Sequence, residues 1–187
     1  MSSVPNDVQL LILGLLDGSI PEPEFLKKFQ VRLKDMPRKV ASMLDTAIVE
    51  KDSVGVEYGL YLLHKYQVTE GVLEQLNRLV EADWHEWHED AVDGLSKLNS
   101  PSSVGYLQAA ALASHPYLEF DESFSLGRKA VWALSGIESI DAILALDRIR
   151  KAGKKIVSDE AENRLKAIGA KSRNESFRAA ISNLLAS

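Results

Sequence analysis

The sequence predicts an all-α fold, an α-solenoid of stacked helical hairpins with about 10–11 helices. Three observations carry that expectation. Apolar residues recur at spacings of three and four in almost every segment, and no run alternates with period two. Gly, Pro, Ser, Thr or Asn separates the segments. Several segments also repeat one another, and a two-helix unit of about 30–40 residues buries its apolar stripe only when copies stack.

The first 50 residues are expected to form a helical cap. Their longest apolar run, Leu10 to Leu16, contains Gly14 and lacks basic residues on its N-terminal side, so it is read as neither a signal peptide nor a membrane span. A cytoplasmic protein without a membrane partner is the resulting expectation. Cysteine is absent, which excludes disulfides, thiolate metal ligands and a cysteine nucleophile.

The repeats follow in order. Gly59, Leu63 and Tyr66 form a loose first copy, Ala91, Leu95 and Leu98 the second, Ala130, Leu134 and Ile137 the third, and Ala161, Leu165 and Ile168 the fourth. The intervals are 32, 39 and 31 residues. A helix-start residue and a second amphipathic run follow each copy: Thr69 before Val72, Leu73 and Leu76; Ser100-Pro101 before Val104 and Leu107; Ser139 before Ile143 and Leu146; Asn174 before Phe177 and Ile181. The long interval contains "HPYLEFDES", residues 115 to 123, where an insertion tends to serve binding. There Asp121 is expected as an N-cap with Glu122 in the first turn, while Tyr117 and Phe120 fill the seam between repeats.

Charge is uneven along the chain. Residues 51–127 carry 4 basic and 13 acidic side chains, residues 128–187 carry 12 and 7, and the whole has net charge −5. A uniformly basic face for phosphates is missing, so nucleic acid is not the expected partner. The acidic middle centres on "WHEWHED", residues 84 to 90. Asp83 as N-cap with Glu86 three residues on predicts a helix starting at Trp84. On it Trp84, His88, Ala91, Leu95 and Leu98 share the inward stripe, and His85, Glu86, Glu89, Asp90 and Asp93 lie mostly outside.

Two other readings of this stretch compete. His85, His88 and Glu89 stand at spacings that let a metal-binding surface form, with Asp121, His64 or His115 from neighbouring repeats, and a metal-dependent enzyme centred on His85, His88, Glu89 and Asp121 would follow. His-x-x-His-Glu is not the zincin pattern, and neither a Gly-x-Ser-x-Gly elbow nor a glycine-rich phosphate loop occurs. No catalytic residue, resident metal or cofactor is assigned. Alternatively Glu74, Glu81, Asp83, Glu86, Glu89, Asp90, Asp93 and Asp121 form a partner-binding surface, offset within the densest part of the run by Arg78. Such a surface steers a basic protein, and the neighbouring tryptophans supply anchors. Lys129 is expected to bridge to Asp90 or Glu89.

The elements "WHEWHEDAVDGLSKLNSP", "YLEFDESFSLGRKAVWALSGI" and "AILALDRI" resemble a bacterial family of small proteins with HEAT-like repeats. The matching positions are Trp84, His85, His88, Glu89 and Asp90, then Tyr117, Leu118, Phe120, Asp121, Glu122, Lys129 and Trp132, within a resemblance that covers about residues 52 to 168. It departs at Gly136-Ile137-Glu138 and in the lysine-rich "RKAGKKIVSD". The first 50 residues lie outside the resemblance; with the helical pattern they give the expectation of one helical domain over 1–187, a cap at 1–50 and HEAT-like repeats over 52–187. The resemblance implies a non-enzymatic immunity protein that blocks a cognate bacterial toxin domain, with the helices after Thr69, Ser100, Ser139 and Asn174 lining the concave face. A general scaffold or cofactor-handling helper is the alternative.

Overall fold

The computed structural model describes residues 4–172 and 175–186. Among them every regular element is helical: eleven α-helices, with 3-10 turns at Leu33–Asp35, Pro101–Ser103 and Pro116–Leu118, and no strand. No helix among the described residues is long and apolar enough to cross a membrane. The chain divides into two compact units, Met1–Trp87 and His88–Ser187.

The first unit holds α1 (Asn6–Leu16), α2 (Glu22–Lys28), α3 (Met36–Glu50), α4 (Ser53–Lys65) and α5 (Leu73–Glu81). Helix α1 packs on α2, and α3 packs on both α4 and α5. Val40, Leu44 and Ala47 follow the three-to-four spacing of one helix face and are fully buried. The tight α3–α4 connection runs through Lys51 at φ 51 and Asp52, whose carboxylate accepts the Val54 amide at 3.1 Å. Gly59 lets α4 come close to α3: a Cβ there would lie 2.5 Å from Leu44 Cδ2. Helix α5 begins at Leu73, not at Thr69, because Gly71 takes φ +70 and the chain turns there before helical geometry can start.

The second unit holds α6 (His88–Leu98), α7 (Val104–Leu112), α8 (Ser125–Gly136), α9 (Ile140–Ala152), α10 (Lys155–Lys171) and α11 (Glu175–Ala186). Helices α6, α8 and α10 pack side by side in that order, α7 lies against α8 and α9, and α11 against α9 and α10. The repeated alanines and leucines sit where this packing is tightest. Ala91 and Leu95 on α6, Ala130 and Leu134 on α8, and Ala161 and Leu165 on α10 are all fully buried. Each such leucine removed from water contributes about 1.5–3 kcal/mol, while the alanines let neighbouring backbones approach.

The helix starts in this unit divide. Ser139 caps α9 as expected, its Oγ accepting the Ala142 amide at 3.1 Å. Ser100 instead opens the 3-10 turn ahead of α7, makes no side-chain cap, and pairs its hydroxyl with Ser102 at 2.9 Å. Asn174 lies outside the described residues. The N-cap of α8 is Phe124, not Asp121, because the helix starts only at Ser125; the Asp121 carboxylate accepts the Ser125 amide at 2.6 Å from four residues upstream, and Glu122 falls in the turn before the helix, not in its first turn.

Candidate functional site

Helix α5 ends at Glu81 and α6 starts at His88, so the stretch from Asp83 to Trp87 is not the helix start that its capping pattern predicts. His85 decides this. Its ring turns inward and is 4% exposed, not on the outer face. The Trp87 amide donates to Nδ1 at 3.0 Å, and Nε2 lies 2.9 Å from the Leu79 carbonyl oxygen. An amide only donates, so Nδ1 is the bare nitrogen and Nε2 carries the proton given to Leu79. Leu79 is in the last turn of α5, and its carbonyl also accepts the Ala82 amide at 3.1 Å, so the ring adds a second donor at the helix end. The ring therefore closes the end of α5 and fixes the bend that follows, with Trp84 edge-on at 5.0 Å between ring centroids.

His88 opens α6 and is 1% exposed. Its Nδ1 lies 2.8 Å from the Tyr117 hydroxyl, and its ring faces His115 at 3.9 Å between centroids, tilted by 30°. The insertion that separates the second and third copies is thus pinned to α6 through Tyr117 and His115. Phe120 does not fill the seam expected of it: it is 93% exposed. The residues of the metal reading are engaged elsewhere, His85 by two backbone groups, His88 by Tyr117, and Glu89 by Ser125 Oγ at 2.7 Å and Lys129 Nζ at 3.2 Å. Among the described residues no three His, Cys, Asp or Glu side chains are grouped as a metal ion requires.

The carboxylates of the proposed acidic surface fall into two sets. In the first unit Glu74, Glu81, Asp83 and Glu86 are exposed, and among the described residues none of them forms an ion pair. In the second unit Glu89, Asp90 and Asp93 are half-buried. Lys129 lies 2.7 Å from Asp93 and also reaches Glu89, so the bridge expected at Glu89 or Asp90 forms with Glu89 and extends to Asp93. Burial pulls the Lys129 pKa down, but the hydrogen bonds to Asp93 and Glu89 outweigh it and the net direction is upward. Asp121 accepts from the Ser123 hydroxyl and from the Ser123 and Ser125 amides, which hold its carboxyl below the usual range.

The insertion walls a cavity of about 420 Å³, bordered by Ser114, His115, Glu119, Asp121, Phe124 and Lys154 among others. Phe124 takes φ 51, and the Lys154 ammonium sits over its ring at 4.6 Å. A second, larger groove of about 780 Å³ runs past Leu134, Ile137, Ile143, Arg164, Ile168 and Phe177. Nearby, the Arg164 guanidinium stacks 3.7 Å over Trp132, a ring left 52% exposed. The lysine-rich linker and Trp132 stand out in the sequence, but the contacts they make do not. Both partners lie about 30 residues away in sequence, beyond the reach of helical spacing.

Set beside known proteins, the chain matches no family model, no curated protein and no solved structure.

Proposed function

We propose that this chain is a non-enzymatic protein-binding protein of the immunity type, which binds one cognate bacterial toxin domain and blocks it by occlusion. The observation that carries the reading is the set of exposed carboxylates at Glu74, Glu81, Asp83 and Glu86, none of them ion-paired among the described residues. Exposed charge without a local counter-ion raises the field outside the protein and speeds encounter with an opposite charge. A basic partner, such as a nuclease domain that must hold phosphates, is the complement. The side-by-side packing of α6, α8 and α10 supports the solenoid reading of HEAT-like repeats, which hold a binding face rigid.

Co-expression with the product of the adjacent gene tests this. The expected result is a stable one-to-one complex and relief of that product's toxicity, with association that slows as salt rises. Neutralising Glu81, Asp83 and Glu86 together as E81Q/D83N/E86Q is expected to slow association by about tenfold or more at low salt. Absence of both complex and relief overturns the reading. The groove of about 780 Å³ favours the second reading, a scaffold or cofactor-handling helper. Its sign would be a small molecule retained through purification and seen by native mass spectrometry.

A further inference from the structure

Phe120 is the most exposed of the large apolar side chains described, and its exposure is not that of a loose loop. On its N-terminal side the chain is fixed by the 3-10 turn Pro116–Leu118 and by Tyr117, whose hydroxyl meets His88 Nδ1 while His115 stacks on the same ring. The Asp121 amide donates to the Leu118 carbonyl at 3.0 Å, and the Glu122 amide to that of Phe120 at 3.1 Å. On the C-terminal side the Asp121 carboxylate holds Ser123 and the Ser125 amide at the start of α8, and Phe124 is covered by Lys154. Phe120 stands at the apex between these two anchored stems.

The chemistry around the apex is one-sided. Glu119 and Glu122 stand on either side of Phe120 in sequence, both exposed and neither in an ion pair among the described residues, with Asp121 between Phe120 and Glu122. A free aromatic ring gains by leaving water, and ordering it in advance lowers the entropy lost on binding. The acidic collar restricts which pocket can receive it.

We infer that the 115–124 loop is a docking knob: Phe120 inserts into an apolar pocket on a partner protein whose rim carries Lys or Arg side chains that meet Glu119 and Glu122. This rests on the reading of the chain as a protein inhibitor and places a specific anchor on it. The knob supplies the short-range fit.

The test uses the full chain and the purified product of the adjacent gene, with affinity and association rate measured for four forms. Wild type is expected to bind; F120A, at a side chain 93% exposed, is expected to weaken binding by about a hundredfold without shifting Tm. F120W should retain affinity to within about tenfold, since a pocket that takes one aromatic ring accommodates another better than a methyl group. E119Q/E122Q should bind more slowly, with a flatter salt dependence. If wild type binds and F120A binds equally well, the knob is overturned and the inhibitor reading stands. If wild type does not bind, the inhibitor reading fails and the knob falls with it. Light scattering that shows a wild-type dimer lost in F120A would make the receiving surface a second copy of this chain and overturn the assignment to a separate partner.

Discussion

Lys129 on α8 joins two carboxylates of α6, its Nζ 2.7 Å from Asp93 Oδ2 and 3.2 Å from Glu89 Oε2. One cation thus neutralises charge that would otherwise belong to the acidic surface, and it does so between α6 and α8. Different contacts join the next pair of helices, where Arg128 on α8 stands 4.0 Å from Glu160 on α10 and Arg164 on α10 covers Trp132 on α8. The faces of α6, α8 and α10 are tied by polar contacts above a core of alanine and leucine.

Replacing Lys129 by Met is expected to lower stability by less than about 1 kcal/mol, because the side chain is about one-third exposed and solvent screens the pair. Its raised pKa means that the contribution is present below the ordinary lysine value of 10.5 and fades as pH rises through the higher folded value. Urea unfolding of wild type and K129M at neutral and alkaline pH measures both, and the gap between them should close at high pH.

His85→Ala is expected to cost about 2 kcal/mol, since it removes a ring that serves the Trp87 amide and the Leu79 carbonyl inside the protein. Glu86→Ala, one residue away and exposed, should change stability by less than about 0.5 kcal/mol, whereas loss of a capping-box partner at that position would cost more. A helix running through both positions would give the opposite order, so the two midpoints in urea discriminate the observed bend from the capping pattern.

Asp147 on α9 is nearly buried and holds Arg150 at 2.7 Å and Lys151 at 2.9 Å. Burial pushes its pKa up, but the hydrogen bonds from Lys151 and Arg150 outweigh this and the net direction is downward. Its contribution is therefore complete above the ordinary value of 3.8 and lost as pH falls through the lower folded value. Asp147→Asn should destabilise by about 3 kcal/mol at neutral pH. That difference should shrink on acidification, measured by thermal melts across the acid range.

Gly127→Ala is expected to destabilise by about 1–3 kcal/mol, because a Cβ would stand 2.8 Å from Val157 Cγ2 and 3.1 Å from the Ala111 carbonyl oxygen. Gly105→Ala on α7 meets nothing within 4 Å and should instead stabilise by about 0.5–1 kcal/mol. Opposite shifts in Tm for two glycine-to-alanine changes check that helix approach at Gly127 is required.

Helical class and the buried face of α6, α8 and α10 were legible because both depend on spacing along one chain. Ala91, Ala130 and Ala161 were picked out by period alone, and all three are fully buried. Helix starts were legible where the local device is also the final one, as at Ser139. They were not legible at Asp83, where a capping box was present on paper, because His85 found a better arrangement with groups six residues back and two residues ahead. Phe120 was misplaced for a related reason. An aromatic between repeats is ordinarily buried, and only the anchored stems lift this one clear.

The sequence by itself determined that every regular element among the described residues is helical, which apolar positions the helices bury, and a middle section dense in carboxylates, since composition and periodicity act within a turn or two of helix. Which carboxylates keep their charge for the outside was decided only by tertiary structure. Lys129 claims Glu89 and Asp93, Asp121 is consumed at the start of α8, and Glu74, Glu81, Asp83 and Glu86 are left exposed. Pairing depends on which side chains the packed helices bring within about 4 Å, and that distance is set by the fold and not by order along the chain.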